Sequence, residues 1–338
     1  MFGDGSGNAI REQCIPTAHL ANVLELNGAR ATLFVEVGQL IYCRNHGIEE
    51  NYAPVEAQLR ELARRGHDIQ LHIHPMWFFA SAPIEGRPRL DSNKYDLSLL
   101  PVSDAEAIVA EGCAYLRDLL SPVLPGYQPV AYRAGAWSMR NHTQLFAMLS
   151  RQGIVIDSTV APGAHFRSGY GDYDYRSFEM LPCWHEGPLL ELPILTSRRP
   201  LAGLAHINHY GLDTRRIVGK LYSAPLARIG RSPLSRVSEF IGRTHVMADF
   251  NVIAPRMLAA MIAAHVAKHA SAANRPVPVV LIGHSKSTYF ADRIHLLFQE
   301  LKSLGIEAGN ALVSDYVDSD AWPKSTPLKR YARTITAH

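Results

Sequence analysis

The chain has 338 residues, of which 47% are hydrophobic and 19% charged, with a formal net charge of +3. That is an ordinary globular composition with length for a large core, and the charge is too small to argue for a nucleic-acid partner. Its four cysteines, Cys14, Cys43, Cys113 and Cys183, form no CxxC pair, which argues against a disulfide framework or a cysteine zinc site and makes a reducing cytoplasm the expected compartment. No apolar run reaches the length of a transmembrane segment, and the N-terminus lacks a signal peptide's basic and apolar regions.

In chain order, Phe2-Gly3-Asp4-Gly5-Ser6-Gly7 reads as a loop, because glycines suit tight turns and close backbone approach to a ligand. Residues 18–27 have helical periodicity and end at Gly28, where a helix cap is expected. Residues 31–37 are a run of β formers and predict a buried strand. A helix over 55–65 closes at Gly66, and the alternation from Asp68 to His74 predicts a strand that Pro75 ends. Residues 76–101 show no clear period and read as a loop or lid. A helix over 103–120 carries a capping box, Ser103 with Glu106. Residues 130–137 form a strand running into a turn, 141–152 a helix, 153–160 a short strand, 161–188 a loop region, and 189–195 a further strand. Residues 196–244 read as an insertion with short helices. Strands are expected at 245–251, 278–284 and 311–313, and helices at 255–270 and 288–304. Residues 319–338 form a basic tail. Strand–helix alternation with short connections is the pattern of a parallel sheet wound by helices, so residues 1–318 are expected to be a single α/β domain.

Three strand ends carry the candidate chemistry. His72 and His74 lie two apart on a strand and so project to the same side. They are either a pair of core histidines or, at a strand tip, metal ligands, since neutral imidazole is a common ligand for a divalent ion. Arg133 emerges from an apolar strand, as a surface arginine or as a site residue with an anionic partner. His284 follows the apolar run Val279-Val280-Leu281-Ile282-Gly283. It is either a satisfied structural histidine or a general acid, with a pKa near operating pH. Trp77, Trp137, Tyr170 and Tyr173 offer flat surfaces for sugar rings, or are packing.

The chain resembles the polysaccharide deacetylase family, the NodB-like carbohydrate esterases, and within it the subset associated with lipopolysaccharide biosynthesis. The resemblance spans most of residues 17–318 and rests on six segments in order. Ala29-Arg30-Ala31-Thr32-Leu33-Phe34-Val35 is similar to that family's "vkATFFV" strand. Gly66-His67-Asp68-Ile69 followed by His72 is similar to its "GHEIgnH" segment, which is the most specific of the six. Tyr132-Arg133-Ala134-Gly135-Ala136-Trp137 resembles "fRaPyG/W", and Gly153-Ile154-Val155-Ile156-Asp157-Ser158 resembles "GfryDSS". Leu190-Glu191-Leu192-Pro193 resembles "ilEiPv", and Val280-Leu281-Ile282-Gly283-His284 resembles the late "vlLlH" strand.

The resemblance implies a distorted (β/α)7-type barrel that removes acetyl groups from N-acetylated sugars with one divalent metal ion, zinc being the expected choice. By position it makes His72 a metal ligand and His284 the catalytic acid, and has Arg133 tether the catalytic carboxylate. The chain departs from the family at two places. The family's second histidine follows the first by four residues, where Met76 stands, so His74 must substitute at a spacing of two. The family's first strand ends in paired aspartates, and here Asp4 is the only early aspartate, as base and as metal ligand together. The expectation is therefore a barrel lacking its first strand, with the true start upstream of Met1. Two other readings stay open: a metal-dependent amidohydrolase or phosphoesterase barrel, and a carbohydrate-binding homologue lacking the base aspartate.

Overall fold

A computed structural model describes residues 8–84, 87–168, 171–184, 189–200, 243–270, 276–285 and 292–317. Its centre is a six-stranded sheet in the order β1 (Thr32–Glu36), β2 (Asp68–Ile73), β5 (Ala131–Ala134), β6 (Ile156–Asp157), β10 (Leu190–Glu191) and β9 (Cys183–Trp184). The first five strands are parallel, and β9 runs antiparallel to β10. Isolated parallel bridges, Ile194 to Val280 and Asp249 to Ile282, continue the pairing beyond β10. Three antiparallel pairs lie outside the sheet: β3 (Ser81–Ile84) with β4 (Arg87–Arg89), β7 (His165–Ser168) with β8 (Gly171–Asp174), and β11 (Thr196–Pro200) with β12 (Arg243–Met247).

Seven α-helices lie among the described residues: α1 (Ile15–Leu26), α2 (Val37–Asn45), α3 (Glu49–Arg64), α4 (Val102–Leu120), α5 (His142–Arg151), α6 (Pro255–His269) and α7 (Asp292–Ser303). Inward-facing leucines and isoleucines of α3, α4 and α5 pack on Leu71, Ile73 and Tyr132 of the sheet, forming the main core. None of the described helices is long and apolar enough to cross a membrane.

Several expectations change on contact with the structure. The strand expected to run to Val37 stops at Glu36, because that side chain caps α2 by accepting a bond from the Gly38 amide at 2.9 Å. The Ser103–Glu106 capping box does not form. Helix α4 starts one residue earlier, after Pro101, and the Ser103 hydroxyl points to Asp104 instead. The loop expected over 76–101 contains the β3–β4 hairpin, and 161–188 contains β7–β8. Residues 311–313 form no strand. A 3-10 turn at Val313–Tyr316 follows them, and this segment is tied to the start of β1 through side-chain bonds. Asn310 bonds both the amide (2.8 Å) and the carbonyl (2.9 Å) of Arg30, and the Val313 amide reaches Thr32 Oγ1 at 2.9 Å. The insertion expected at 196–244 has its two ends paired as β11–β12, while residues 201–242 and the 319–338 tail lie outside the described residues.

Candidate metal centre

Parallel register builds the site. Glu36 pairs with His72, and His72 with Arg133. Residues paired across a parallel sheet point to the same face, so the three side chains stand in one row at the C-terminal ends of β1, β2 and β5. His74 follows in the same phase, just past the end of β2.

Within this row the ligand atoms of Glu36, His72 and His74 all lie within 4.8 Å of one another. The two imidazoles meet edge to face with centroids 4.8 Å apart. Nδ1 of His72 lies 2.7 Å from the Arg133 carbonyl. A carbonyl only accepts, so Nδ1 carries the proton and Nε2 is left as a donor for a metal. Burial first, and the neighbouring His74 second, pull the His72 pKa well down, which keeps the ring neutral as a ligand must be. Glu36 accepts the His74 amide at 2.7 Å on Oε2, as well as the Gly38 amide on Oε1. Burial pushes its carboxyl up to about 8, a cost that a bound cation would offset. The His74 side chain is 32% exposed and Glu36 19%, so the cluster opens to solvent on one side. Two imidazole nitrogens and a carboxylate form a donor set that suits zinc and leaves room for water or substrate.

The turn after β5 presses against this cluster. A Cβ on Gly135 would sit 2.6 Å from the Ile73 carbonyl oxygen and 2.9 Å from His74 Cγ, so only glycine fits. Ala136 and Trp137 then both adopt φ of 52°. That region costs a residue with a side chain roughly 1–2 kcal/mol and is found at functional turns. The turn carries the Trp137 ring to 5.9 Å from His284, edge to face.

The other expected site residues divide. His284 is exposed, receives its position from its amide donating to Asn251 Oδ1 at 2.6 Å, and lies near enough to His72 to help lower that pKa. Arg133 donates from Nε and Nη2 to the carbonyl and hydroxyl of Ser158, at 2.7 and 2.9 Å, and lies 4.2 Å over the Phe34 ring. Asp157 and Glu191 are the acidic groups whose fields reach it. Trp77 is only 6% exposed, beneath α2 against Tyr42, and offers no open face for a sugar. Tyr173, at 8%, is likewise closed, stacked between Phe166 and Tyr175. Asp4 and Tyr170 lie outside the described residues. The sequence reading missed Glu36, although a carboxylate closing an apolar strand is a signal once that strand is set in register with His72. No protein-family model matches the chain, and a search of curated proteins finds no match.

Proposed function

We propose that the protein is a metal-dependent hydrolase that removes an acetyl group from an N-acetylated sugar or saccharide, in the biosynthesis of a surface polysaccharide. The observation that carries this reading is the convergence of Glu36, His72 and His74 within 4.8 Å at adjacent strand ends. We further read the sheet as part of a distorted (β/α)7-type barrel. Phe34 on β1 and Val280 beyond β10 pack on one small cluster of Ala131, Ile156, Leu190 and Leu192, which supports closure.

In this reading Glu36, His72 and His74 hold one divalent ion, zinc by the chemistry of its donors. When bound, such an ion polarises the acetyl carbonyl and brings the pKa of water toward neutrality. His72 can serve only through Nε2, because the Arg133 carbonyl occupies its other nitrogen. The base that takes the proton from water is Asp4, by resemblance. His284, across from His72 and beside Trp137, gives a proton to the departing amine nitrogen, which is otherwise a poor leaving group. Trp137 narrows the approach on that side and directs the sugar toward His284.

The test is metal analysis of the purified full-length chain together with acetate release from a panel of N-acetylated sugars. About one divalent ion per chain and release that stops on chelation and returns with zinc would support the reading. A chain that binds no divalent ion would remove it.

A further inference from the structure

Asp157 and Glu191 face each other as in-register residues of β6 and β10. Asp157 pairs with Tyr132, the neighbour of Arg133 along β5, so the two acids lie on the sheet face opposite the His72 row. Their exposures are 0% and 1%. In-register pairing brings the two carboxyl groups together out of water, where two such groups cannot both stay ionised and can bond each other only with a proton between them.

The surrounding bonds run from this pair to the metal centre. Asp157 accepts from the Thr159 hydroxyl at 2.7 Å and from the Thr159 amide at 3.1 Å, while Glu191 accepts from the Val160 amide at 3.1 Å. The Thr159 hydroxyl oxygen accepts the Ala134 amide at 2.9 Å. That amide belongs to the peptide group whose carbonyl is that of Arg133, the acceptor of His72 Nδ1. The groups that the fields of the pair reach are Arg133 and Tyr132 from β5, Tyr175 after β8, and Cys183 on β9. Burial pushes Glu191 up to about 7, with the Asp157 bond, the Val160 amide and Arg133 pulling the other way.

We propose that Asp157 and Glu191 share one buried proton and act as positioning residues for His72, fixing Thr159 and through it the peptide group that holds the His72 ring. The ligand role of His72 rests on the metal-centre reading, whereas the shared proton does not.

Glu191→Gln tests the proton. The amide keeps an acceptor for Val160 and turns an N–H toward Asp157 in place of the proton. In the wild type, the acid form is favoured on folding, so stability is full below the unfolded pKa and is lost as pH rises to about 7. The melting temperature of Glu191→Gln, measured relative to wild type on full-length protein, should therefore rise by several degrees between pH 5 and 7.5 and then level off. A difference that stays constant from pH 5 to 8.5 would overturn the shared proton.

Thr159→Val tests the positioning. Imidazole ¹⁵N spectra of chelator-treated full-length protein should show His72 protonated at Nδ1 in the wild type and in Glu191→Gln. In Thr159→Val they should show mixed tautomers, with roughly tenfold weaker zinc binding after reloading. Thr159→Ser, which retains the hydroxyl, should restore the wild-type signal. An unchanged tautomer in folded Thr159→Val would overturn the positioning role. If that variant does not fold, Glu191→Ala at pH 6 is read in the same way. Wild-type protein that binds no zinc would defeat the metal-centre reading alone, because the tautomer and the melting curves are measured without metal.

Discussion

Glu36, His72 and Arg133 stand in one row across three hydrogen-bonded strands, whereas His284 follows a segment joined to the rest by isolated bridges at Val280 and Ile282. The row is held by ladder bonds, so its side chains stay in place as long as the sheet does. The His284 amide donates to Asn251 Oδ1, and its ring meets the edge of Trp137. Binding groups therefore sit on the rigid half of the site, and the proposed proton donor sits on the half that can be disturbed locally. A rigid ligand set suits a metal, which tolerates little error in geometry, and a locally held acid can be displaced without unfolding the sheet.

The largest expected effect comes from breaking the row itself. His72→Ala should weaken zinc binding by more than the roughly 100-fold that changes to outer partners cost, with the fold retained because the β2 ladder uses backbone groups. Competition with a chromophoric chelator measures it, and wild-type affinity in that variant would remove His72 from the donor set. On the other half, His284→Ala should lower turnover roughly 10²–10⁴-fold and leave zinc content unchanged. Loss of metal in that variant would show that the two halves are not separable.

Smaller effects sharpen the contrast. Burial pushes Asp249 up to about 6, opposed by the Asn251 amide. Its folded pKa exceeds the unfolded one, so the stability it contributes is present in acid and lost as pH rises from about 4 to 6. Asp249→Asn should therefore match wild type near pH 4 and exceed it above pH 6, by up to roughly 3 kcal/mol. Denaturant melts at the two pH values check this. The smallest effect is expected from Asn251→Ala, which frees the His284 backbone. Turnover should fall about tenfold, equivalent to 1.4 kcal/mol on the barrier, with melting temperature nearly unchanged. Equal turnover would show that the Asn251 bond does not position the histidine.

The parts of this arrangement that were legible in the sequence are those written in local pattern. The period of two from Asp68 to His74 placed both histidines on one side, and the structure keeps them there. Helices over 141–152 and 255–270 recur nearly as expected in α5 and α6. Glu36 was not legible, because its meaning comes from pairing with His72, 36 positions along, and register between parallel strands leaves no local mark. Helix α2 was hidden by Val37, Ile41 and Tyr42, which favour strands. They are recruited into a helix by burial and by the Glu36 cap. Trp77 could be read from the sequence as a flat surface for a sugar ring or as packing, and the 3-10 turn at Pro75–Trp77 folds it inward against Tyr42.

The bonds between Arg30 and Asn310 bear on synthesis as well as on shape. They join residues 280 positions apart and, with the Val313 amide on the Thr32 hydroxyl, tie the start of β1 to a segment made much later. At about 5–20 residues per second, roughly 15–55 s separate the synthesis of Arg30 from that of Asn310. These bonds are therefore among the last of the described contacts to form as the chain is made, and β1 must first be held by its pairing with β2 alone.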